Sequence, residues 1–318
     1  MAEMDWKHTI RDLKGVVLDM CGVLYDSGEG DGVAIDGSIE AVKRLKASDL
    51  QLRFCTNETQ ATREKFVAKL GRLGFDICVD EVFSPAPAAV TILKERGLRP
   101  HLLVHDDVVP EFDAVEKTDP NCVIIGDAAD NFSYQNLNKA FQVLIGLEKP
   151  VLFSLGRGRY YKEMDGLKLD VGVYMKALEY ACDVEAEVVG KPSPVFFQSV
   201  LADMGIQPSQ ALMIGDDLVN DVGGAQSCGM RGLLVKTGKY SYRWCLRPQF
   251  QKVTAVTPSA AAHAFMPRRL SVATSLSDHS ELFMVTEEKP RDESSCTDAC
   301  IDSVPGDVTR LTQWVQNL

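Results

Sequence analysis

Residues 16–27, VVLDMCGVLYDS, contain the pattern that decides the fold. An apolar run at 16–18 leads into one carboxylate, Asp19, and a small turn at Cys21 and Gly22 follows at once. A continuous apolar run is typical of a strand that is buried on both faces of a parallel sheet. Open sheets of this class bind their ligands at the carboxyl ends of the strands. The stretch therefore predicts that Asp19 lies at the mouth of an active site, as a candidate nucleophile.

Strand and helix patterns alternate along the chain to about residue 240. Further strands are predicted at 50–54, 102–104, 122–125, 151–153, 187–189, 211–214 and 232–235. Helices are predicted at 62–73, 134–147, 172–182, 195–204 and 221–228, and another is predicted to begin with Ser38 as its cap. This alternation predicts an α/β fold, in which helices cover the faces of a Rossmann-like parallel sheet.

The composition indicates an ordinary soluble protein that is long enough for two domains. The 318 residues are 45% apolar and 25% charged, and the formal net charge is −11. This charge disfavours nucleic acid or an anionic membrane as the main partner. The chain shows neither an apolar signal sequence nor a run near the roughly 20 apolar residues of a membrane span. The nine scattered cysteines predict reduced thiols and a cytoplasmic location, with the nucleus left open as a second one.

Residues 245–298 depart from this pattern. They combine Pro, Ser, Thr and mixed charges without a sustained period, and structureless segments longer than about 15 residues are uncommon in compact domains. We expect a disordered insertion here, with a splice product or a sequence error as alternatives. Residues 299–318 regain strand and helix patterns and are expected to return to the core.

Polar side chains follow four of the predicted strands, and each fits a part of phosphoryl transfer. Because the carboxyl ends of parallel strands lie side by side, we expect these groups to converge. Asp19 can form an aspartyl-phosphate, and Lys191 can neutralise charge on the nucleophile and on the phosphoryl group. The Thr56 hydroxyl and the Asn57 backbone N–H can donate to phosphate oxygens. The expected substrate-binding set is Asp19, Met20, Cys21, Thr56, Asn57 and Lys191.

The same strand ends are expected to hold a magnesium ion. Asp216 offers the hard oxygen ligands that Mg²⁺ prefers, and Asp19 and the backbone carbonyl of Cys21 can share the ion. Asp217 and Asp221 can bind its waters or orient the catalytic lysine. Helix capping would explain Asp217 equally well. Such a site works mainly by positioning and by electrostatic stabilisation.

In this order, these residues resemble the four motifs of the haloacid dehalogenase superfamily. The motifs stand here as DMCG at 19–22, TN at 56–57, GKP at 190–192, and GDD at 215–217 with Asp221. Asn57 and Lys191 are 134 positions apart, which resembles the C2-capped branch that includes NagD-like and pyridoxal-phosphate phosphatases. The resemblance implies a Mg²⁺-dependent phosphatase that forms a homodimer. It also implies a core at 1–85 and 187–244, joined by 299–318, and a C2-type α/β cap at 86–186.

Longer stretches resemble one subgroup of that branch, which acts on inorganic pyrophosphate, phosphohistidine and phospholysine. They include RFCTNETQ at 53–60, LGRGRYYKE at 155–163, VVGKPSP at 188–194 and GDDLVNDVGGAQSCGMR at 215–231. This resemblance implies hydrolysis of pyrophosphate and of phosphoramidates, including those of phosphorylated proteins, through an aspartyl-phosphate. A NagD-like small-molecule phosphomonoesterase and a catalytically impaired phosphate-binding regulatory protein are the alternatives.

The first motif departs from the superfamily pattern, because Cys21 stands where the second aspartate is usual. That aspartate serves as a general acid, and such help is worth about 10²–10⁴-fold, most of all for strongly basic leaving groups such as an alkoxide. Phosphate leaving from pyrophosphate, and imidazole with its pKa of about 6.5, need it less. The substitution therefore favours P–O–P and P–N substrates. We expect Cys21 to fill the turn and offer its carbonyl; a reactive thiol is the alternative, disfavoured because nearby carboxylates raise a thiol pKa.

Two further stretches have two interpretations each. The basic stretch at 157–162, with Arg157, Arg159, Tyr160, Tyr161 and Lys162, fits a solvated surface or a contact with an anionic substrate. The glycines at 28–32 are not followed by the Lys-Ser/Thr of a P-loop, so a flexible flap is predicted.

Overall fold

The computed structural model describes residues 12–163 and 166–240, so the predictions for 245–298 and for 299–318 lie outside the described residues. The strands are β1 (Gly15–Asp19), β2 (Tyr25–Asp26), β3 (Val33–Ala34), β4 (Gln51–Cys55), β5 (Val82–Phe83), β6 (Pro100–Leu103), β7 (Cys122–Ile125), β8 (Leu152–Ser154), β9 (Tyr160–Glu163), β10 (Gly166–Leu169), β11 (Glu187–Val188), β12 (Ala211–Gly215) and β13 (Arg231–Leu234). The α-helices are α1 (Ser38–Ala47), α2 (Arg63–Arg72), α3 (Pro85–Arg96), α4 (Tyr134–Ile145), α5 (Val171–Cys182), α6 (Pro194–Met204) and α7 (Gly224–Ser227). None of these helices is long and apolar enough to cross a bilayer.

A five-stranded parallel sheet, here the core sheet, has β1 at its centre. The strand order is β13-β12-β1-β4-β5, and β1 pairs with both β12 and β4. Asp19 lies opposite Cys55, and Leu18 lies opposite Ile214. Every residue of β1 is buried, as its continuous apolar run predicts. The carboxyl ends of three adjacent strands therefore meet around Asp19.

Helices cover both faces of the core sheet. Val16 and Leu18 pack in one apolar cluster with Phe66 of α2, whereas Val17 packs in another with Phe197 of α6. Successive side chains of a strand point to opposite faces, so one strand joins both layers. Full burial of each large apolar side chain stabilises the fold by about 1.5–3 kcal/mol. This packing holds β1, and with it Asp19, in a rigid setting.

A second parallel sheet, with the order β11-β8-β7-β6, lies in the segment between α3 and α6. Cys122 and Ile124 of β7 pack in a cluster with α3, and Val123 and Ile125 pack in a cluster with α4 and α5. Both sheets therefore have helices on two faces, and the predicted α/β fold with a Rossmann-like core is confirmed.

Two elements at the boundaries of the segment that carries the second sheet, β11 and α3, differ from the sequence prediction. Glu187 and Val188, predicted to open the second core segment, pair with β8, because the chain continues along the edge of the second sheet before it returns. Helix α3 was not predicted, since Pro85 and Pro87 suggest a loop. Proline is tolerated in a first helical turn, where its missing N–H would have no partner.

Two hairpins, β2–β3 and β9–β10, were also absent from the prediction. The glycines at 28–32 form the turn of β2–β3, where the flexible flap was expected. Ser27 bridges to Glu163 of the other hairpin, and its hydroxyl donates to the Lys162 carbonyl at 3.0 Å. The hairpin strands are mostly exposed or half-buried, so they lack the apolar run by which the other short strands were predicted. The contacts of Ser27 join the two hairpins.

The start of α1 also differs from the prediction. Gly37, in the left-handed region with φ 77°, precedes the helix, and no side chain caps it. The Ser38 hydroxyl instead donates to the carbonyl oxygens of Leu24 at 2.8 Å and Ile35 at 2.6 Å. Ser38 is fully buried and ties α1 to the segment that follows β1.

Candidate active site

Asp19 and Lys191 form the centre of a buried charge network. Asp19 ends β1 with 5% of its surface exposed, and Lys191 has 3% exposed. The Lys191 ammonium donates to Oδ1 of Asp19 at 2.5 Å, to Oδ1 of Asp221 at 2.7 Å and to the Cys55 carbonyl at 3.3 Å. Buried charges are tolerated when they are paired and hydrogen-bonded, and here one ammonium serves two carboxylates. The two groups predicted to carry the chemistry are thus brought into direct contact.

The surroundings keep the Lys191 ammonium charged. Burial by itself lowers the pKa of Lys191, but the Asp19 and Asp221 carboxylates outweigh burial and raise the pKa above its ordinary value. A permanently cationic group beside a carboxylate can neutralise charge as a phosphoryl group arrives.

The Asn57 side chain fixes the segment that carries Lys191. Its Nδ2 donates to the Lys191 carbonyl at 2.9 Å, and its Oδ1 accepts from the Lys191 backbone N–H at 2.8 Å. A side chain at Gly190 would come within 2.3 Å of the Leu155 carbonyl, so only glycine fits there. The second and third motifs therefore hold each other in register.

Thr56 follows β4 and is 3% exposed. Its backbone N–H donates to the Phe83 carbonyl at 3.0 Å, and its Oγ1 accepts from the Glu58 N–H at 2.9 Å. Because Oγ1 acts as the acceptor in that bond, its own hydrogen remains available to a phosphate oxygen.

Asp216 follows β12 and is held by two close turns. Its Oδ2 accepts from the Lys239 backbone N–H at 2.7 Å. Gly22 and Gly238 both have positive φ, and a Cβ on either would lie within 2.2 Å of Oδ2. The Thr237 hydroxyl joins the two turns by donating to the Gly22 carbonyl at 2.5 Å. These contacts fix one carboxylate oxygen of Asp216 and leave the other free for a ligand.

The remaining oxygen of Asp216, Oδ1, is buried and has no hydrogen-bond partner within residues 12–163 and 166–240. Oxygens of Asp19, Asp216 and Asp221 lie within 4.8 Å of one another. Burial, with smaller effects of Asp19 and Asp221, raises the pKa of Asp216 well above its usual value, although Lys239 opposes this. A buried, partnerless carboxylate oxygen in a group of hard oxygen donors is what a divalent cation requires. The residues present therefore fit a metal.

Asp221 is already engaged in two contacts and serves the lysine. Its Oδ1 accepts from Lys191, and its Oδ2 accepts from the Asp217 backbone N–H at 2.9 Å. Burial first, and then the nearby Asp19 charge, raise the pKa of Asp221 to about 6, with Lys191 opposing them. Of its two predicted roles, the contacts favour orientation of Lys191.

Asp217 caps a π-helical turn at Leu218–Gly223, where an α-helix was predicted only from residue 221. Its Oδ1 accepts from the N–H groups of Val219 at 2.8 Å and Asn220 at 2.9 Å, and its Oδ2 lies 3.3 Å from the Lys239 ammonium. Burial by itself raises the pKa of Asp217, but Lys239 and these N–H groups lower it below its ordinary value. The contacts favour the capping role for Asp217.

Cys21 occupies the turn beside Asp19 as a protonated thiol. Burial is the largest cause that raises its pKa to about 12; the hydrogen bond with Ser27 opposes burial, and the Asp216, Glu58 and Asp19 charges add smaller rises. A group that holds its proton so firmly is neither a nucleophile nor a useful acid at neutral pH. These contacts favour the turn-filling interpretation over the reactive thiol.

A cavity of about 210 Å³ opens above this network. Among the predicted residues, Asp19, Cys21, Thr56, Asn57, Lys191, Asp216 and Asp221 line it. The Met20 side chain is fully buried in the core cluster instead, so a contact between Met20 and a ligand would have to come from its backbone. Of the basic stretch, Tyr161 and Lys162 line the cavity, whereas Arg157 and Arg159 do not.

Several cavity residues were missed by sequence reasoning. Lys239 is brought to Asp216 by the segment after β13, and Glu58 stands one position after the second motif. Other missed residues with polar or charged side chains are Asp26, Ser27, Gln60, Lys69, Asp127, Glu163, Asp170 and Asn220. Proximity to the second motif was a usable signal for Glu58; for the others, only the fold brings them to the cavity.

Comparison with protein families gives two matches. Residues 16–117 match the family described as haloacid dehalogenase-like hydrolase, and residues 188–262 match the family described as HAD-hydrolase-like. The phospholysine phosphohistidine inorganic pyrophosphate phosphatase of Danio rerio is 76% identical over 231 residues, which are 73% of this chain and 86% of that protein. The protein of the same name from Homo sapiens is 64% identical over 235 residues, 74% of this chain and 87% of that protein.

Solved structures share the fold at lower sequence identity. A 4-nitrophenylphosphatase from Thermotoga maritima is 24% identical with a TM-score of 0.65, over 74% of this chain and 90% of that one. A glycerol phosphate phosphatase from Mycobacterium tuberculosis in complex with magnesium is 21% identical with a TM-score of 0.64, over 74% of this chain and 71% of that one.

Proposed function

This chain belongs to the haloacid dehalogenase-like hydrolases, and on that premise we propose that it is a Mg²⁺-dependent phosphatase acting on pyrophosphate, phosphohistidine and phospholysine. The family resemblance, the α/β fold and the hydrolase class predicted from the motifs are confirmed by this membership. Relatives named for these three substrates reach 76% identity, which supports the same substrates here.

One observation carries the chemical part of the proposal. A buried carboxylate at the tip of the central strand, Asp19, touches a buried ammonium, Lys191, next to the partnerless oxygen of Asp216. A nucleophile, a fixed positive charge and a hard ligand are the parts that phosphoryl transfer requires, and they share one cavity.

In the proposed first step, a carboxylate oxygen of Asp19 attacks phosphorus and the bond to the leaving nitrogen or oxygen breaks. An aspartyl-phosphate forms, and the Lys191 ammonium offsets the negative charge that gathers there. The Thr56 hydroxyl and the Asn57 N–H orient the phosphoryl oxygens. Water then attacks the phosphorus of the aspartyl-phosphate, which releases phosphate and restores Asp19.

Asp19, Asp216 and the backbone carbonyl of Cys21 would hold the Mg²⁺ ion. The bound ion would supply further positive charge to the phosphoryl oxygens. The preference of Mg²⁺ for oxygen ligands and the partnerless oxygen of Asp216 support this assignment.

Phosphate release with Mg²⁺ tests the proposal. We would compare the wild-type protein, Asp19→Asn and a matched control at an exposed position, Asp36→Asn, on pyrophosphate, phosphohistidine, phospholysine and a sugar phosphate. Asp19→Asn should lose activity by about 10⁴-fold or more, as removal of a nucleophile does elsewhere, and Asp36→Asn should not.

Three other outcomes of this experiment would favour an alternative function or refute the aspartyl-phosphate mechanism. A marked preference for the sugar phosphate would favour a phosphomonoesterase. Equal activity in wild type and Asp19→Asn would refute the aspartyl-phosphate. No release from any substrate, with binding of inorganic phosphate intact, would favour a regulatory phosphate-binding protein.

The proposed assembly is a homodimer in the cytoplasm or nucleus. Sedimentation equilibrium should then give twice the chain mass of 35.0 kDa, and a value near one chain mass would refute it. Fluorescence imaging of the tagged chain tests the location, and accumulation in a secretory compartment would contradict it.

A further inference from the structure

We propose that Glu58 exchanges the proton with the leaving group and with the attacking water, in place of the carboxylate that position 21 lacks. The inference rests on the proposed phosphatase function and deepens it. It assigns the acid–base role of the reaction to a residue outside the first motif.

Glu58 follows the end of β4 and lines the cavity that holds Asp19. β4 is the neighbour of β1 in the core sheet, and Cys55 at its end lies opposite Asp19. The Glu58 N–H donates to Thr56 Oγ1 at 2.9 Å, so the chain turns sharply after the phosphate-binding position. The Gln60 N–H donates to Glu58 Oε1 at 2.8 Å and holds the carboxyl group. Glu58 and Asp19 line the same cavity.

The Glu58 carboxylate also reaches the space next to Cys21. Cys21 and Glu58 both line the cavity, and the Glu58 charge contributes to the raised pKa of the Cys21 thiol after burial and Asp216, and ahead of Asp19. It acts on the buried Tyr25 hydroxyl as well. Glu58 therefore places a carboxyl group near the position from which the missing aspartate would act.

The groups that face Glu58 favour its protonated form. Burial is the largest cause that raises its pKa, and the charges of Asp127 after β7 and Asp170 before α5 add to it. The Gln60 N–H and the Lys69 ammonium on α2 oppose this rise but do not cancel it. Since the folded-state pKa lies above that of an ordinary glutamate, the protonated acid persists to higher pH.

The proton balance closes over the two steps. In the first, Asp19 forms a bond to phosphorus, the P–N or P–O bond breaks, and the Glu58 carboxylic acid transfers its proton to the leaving atom. In the second, the Glu58 carboxylate accepts a proton from water as the water oxygen bonds to phosphorus and the bond to Asp19 breaks. Phosphate leaves, and Glu58 is again protonated.

This role matters most for phospholysine. Its leaving amine belongs to a side chain with an ordinary pKa of about 10.4, against about 6.5 for the imidazole of phosphohistidine. The more basic amine needs a proton as it leaves, whereas imidazole needs little help. Glu58 would thus allow a site without the usual aspartate to act on both substrates.

Rapid-quench measurement of the first turnover separates the two steps. The variant is Glu58→Gln, and the matched control is Glu64→Gln, at an exposed position in the first turn of α2. Glu58→Gln should slow lysine release from phospholysine by about 10²-fold or more, and histidine release from phosphohistidine by less than about tenfold. The aspartyl-phosphate formed from phosphohistidine should then persist longer than in wild type. Glu64→Gln should match wild type in all three measurements.

A pH profile gives a second, independent readout. Wild-type lysine release should fall as pH rises through the Glu58 pKa, and this decline should vanish in Glu58→Gln and return in Glu58→Asp. Equal slowing of both substrates, or a normal aspartyl-phosphate lifetime with an unchanged pH profile, would overturn the role of Glu58. Absence of phosphate release by the wild type would instead refute the proposed function itself.

Discussion

Two sides of the cavity differ in burial and in how their residues are held. The floor is formed by Asp19, Thr56 and Asp216 at the ends of core-sheet strands, together with Lys191 after β11 and Asp221 in the helical turn after β12. Each of these five residues is at most 5% exposed. The roof is formed by Asp127, Tyr161, Lys162, Glu163 and Asp170, which come from the second sheet and its hairpin and are all partly exposed. Three floor carboxylates and one lysine lie together without solvent to screen them. On the roof, the exposed Lys162 charge is screened by water, whereas burial raises the pKa of Asp170.

This difference in burial indicates whether a substitution will affect only its own surroundings or the stability of the fold as well. A floor side chain cannot be altered without leaving a partner buried and unpaired, so stability and chemistry are coupled there. An exposed roof side chain such as Lys162 can be removed with a local effect on stability.

The largest effect is expected from Lys191→Met on the floor. It leaves Asp19 and Asp221 buried without their cation, so unfolding free energy should fall by about 3–5 kcal/mol and turnover by about 10²–10³-fold or more. Urea titration and phosphate release measure these losses. Adding Asp221→Asn should restore part of the stability and none of the turnover.

The exposed Lys43 on α1 offers the control, and Lys43→Met should change stability by no more than about 0.5 kcal/mol. If both lysine variants were equally stable, the floor network would contribute nothing to folding, and the contrast between floor and roof would fail.

A second effect is expected from metal binding to the floor. Mg²⁺ at about 100 times its dissociation constant should stabilise the wild-type protein by about 2.7 kcal/mol. Asp216→Asn removes the partnerless oxygen's charge and should abolish most of this gain, whereas Asp130→Asn, at an exposed position, should keep it. Urea unfolding with and without Mg²⁺ is the measurement. Equal stabilisation of both variants would place the metal elsewhere.

A smaller effect is expected on the roof. Lys162 lines the cavity and Arg157 does not. Lys162→Ala should therefore raise KM for pyrophosphate about two- to fivefold, which corresponds to the small interaction free energy of an exposed charge pair. The value of kcat should change little. Arg157→Ala should leave KM unchanged. Steady-state kinetics at two salt concentrations measure KM for both variants. An equal rise of KM in Lys162→Ala and Arg157→Ala would mean that residues 157–162 attract the substrate through their summed positive charge and not through a contact of Lys162.

The smallest effect is expected at Cys21. With a pKa of about 12, only about one thiol in ten thousand is ionised at pH 8, because ionisation falls tenfold per pH unit below the pKa. Iodoacetamide at pH 8 should therefore modify the exposed Cys78 and spare Cys21, as peptide mass spectrometry would show. Cys21→Ala should retain most of the activity. Rapid modification of Cys21, or loss of activity in Cys21→Ala, would contradict a turn-filling role.

Three strands of the core sheet were readable from the sequence because each carries apolar residues up to a polar strand end. The apolar runs that end at Asp19, Cys55 and Gly215 became three adjacent strands, and the polar residue after each run reached the floor. The hairpins were not readable, because their strands are mostly exposed or half-buried and lack an apolar run. Helix α3 was hidden by its prolines.

Individual roles within the site were less accessible to sequence reasoning. The motifs pointed to Lys191 and Asp221 but did not show that both oxygens of Asp221 are engaged. They gave no sign of Lys239, whose backbone reaches Asp216 only because β13 lies next to β12. A hydrogen bond between segments that are distant in the sequence depends on the order of the strands in the sheet. The pattern of residues along the chain does not reveal that order.

The sequence by itself determined the family, the core sheet and the five residues of the floor, because apolar runs, strand ends and motif order are local properties of the chain. Only the tertiary structure decided that Cys21 is a partly buried thiol that holds its proton, that one oxygen of Asp216 has no partner among the described residues, and that Glu58 lines the cavity. Burial, charge spacing and hydrogen-bond geometry arise from contacts between segments more than 100 residues apart, such as the 134 positions between Asn57 and Lys191.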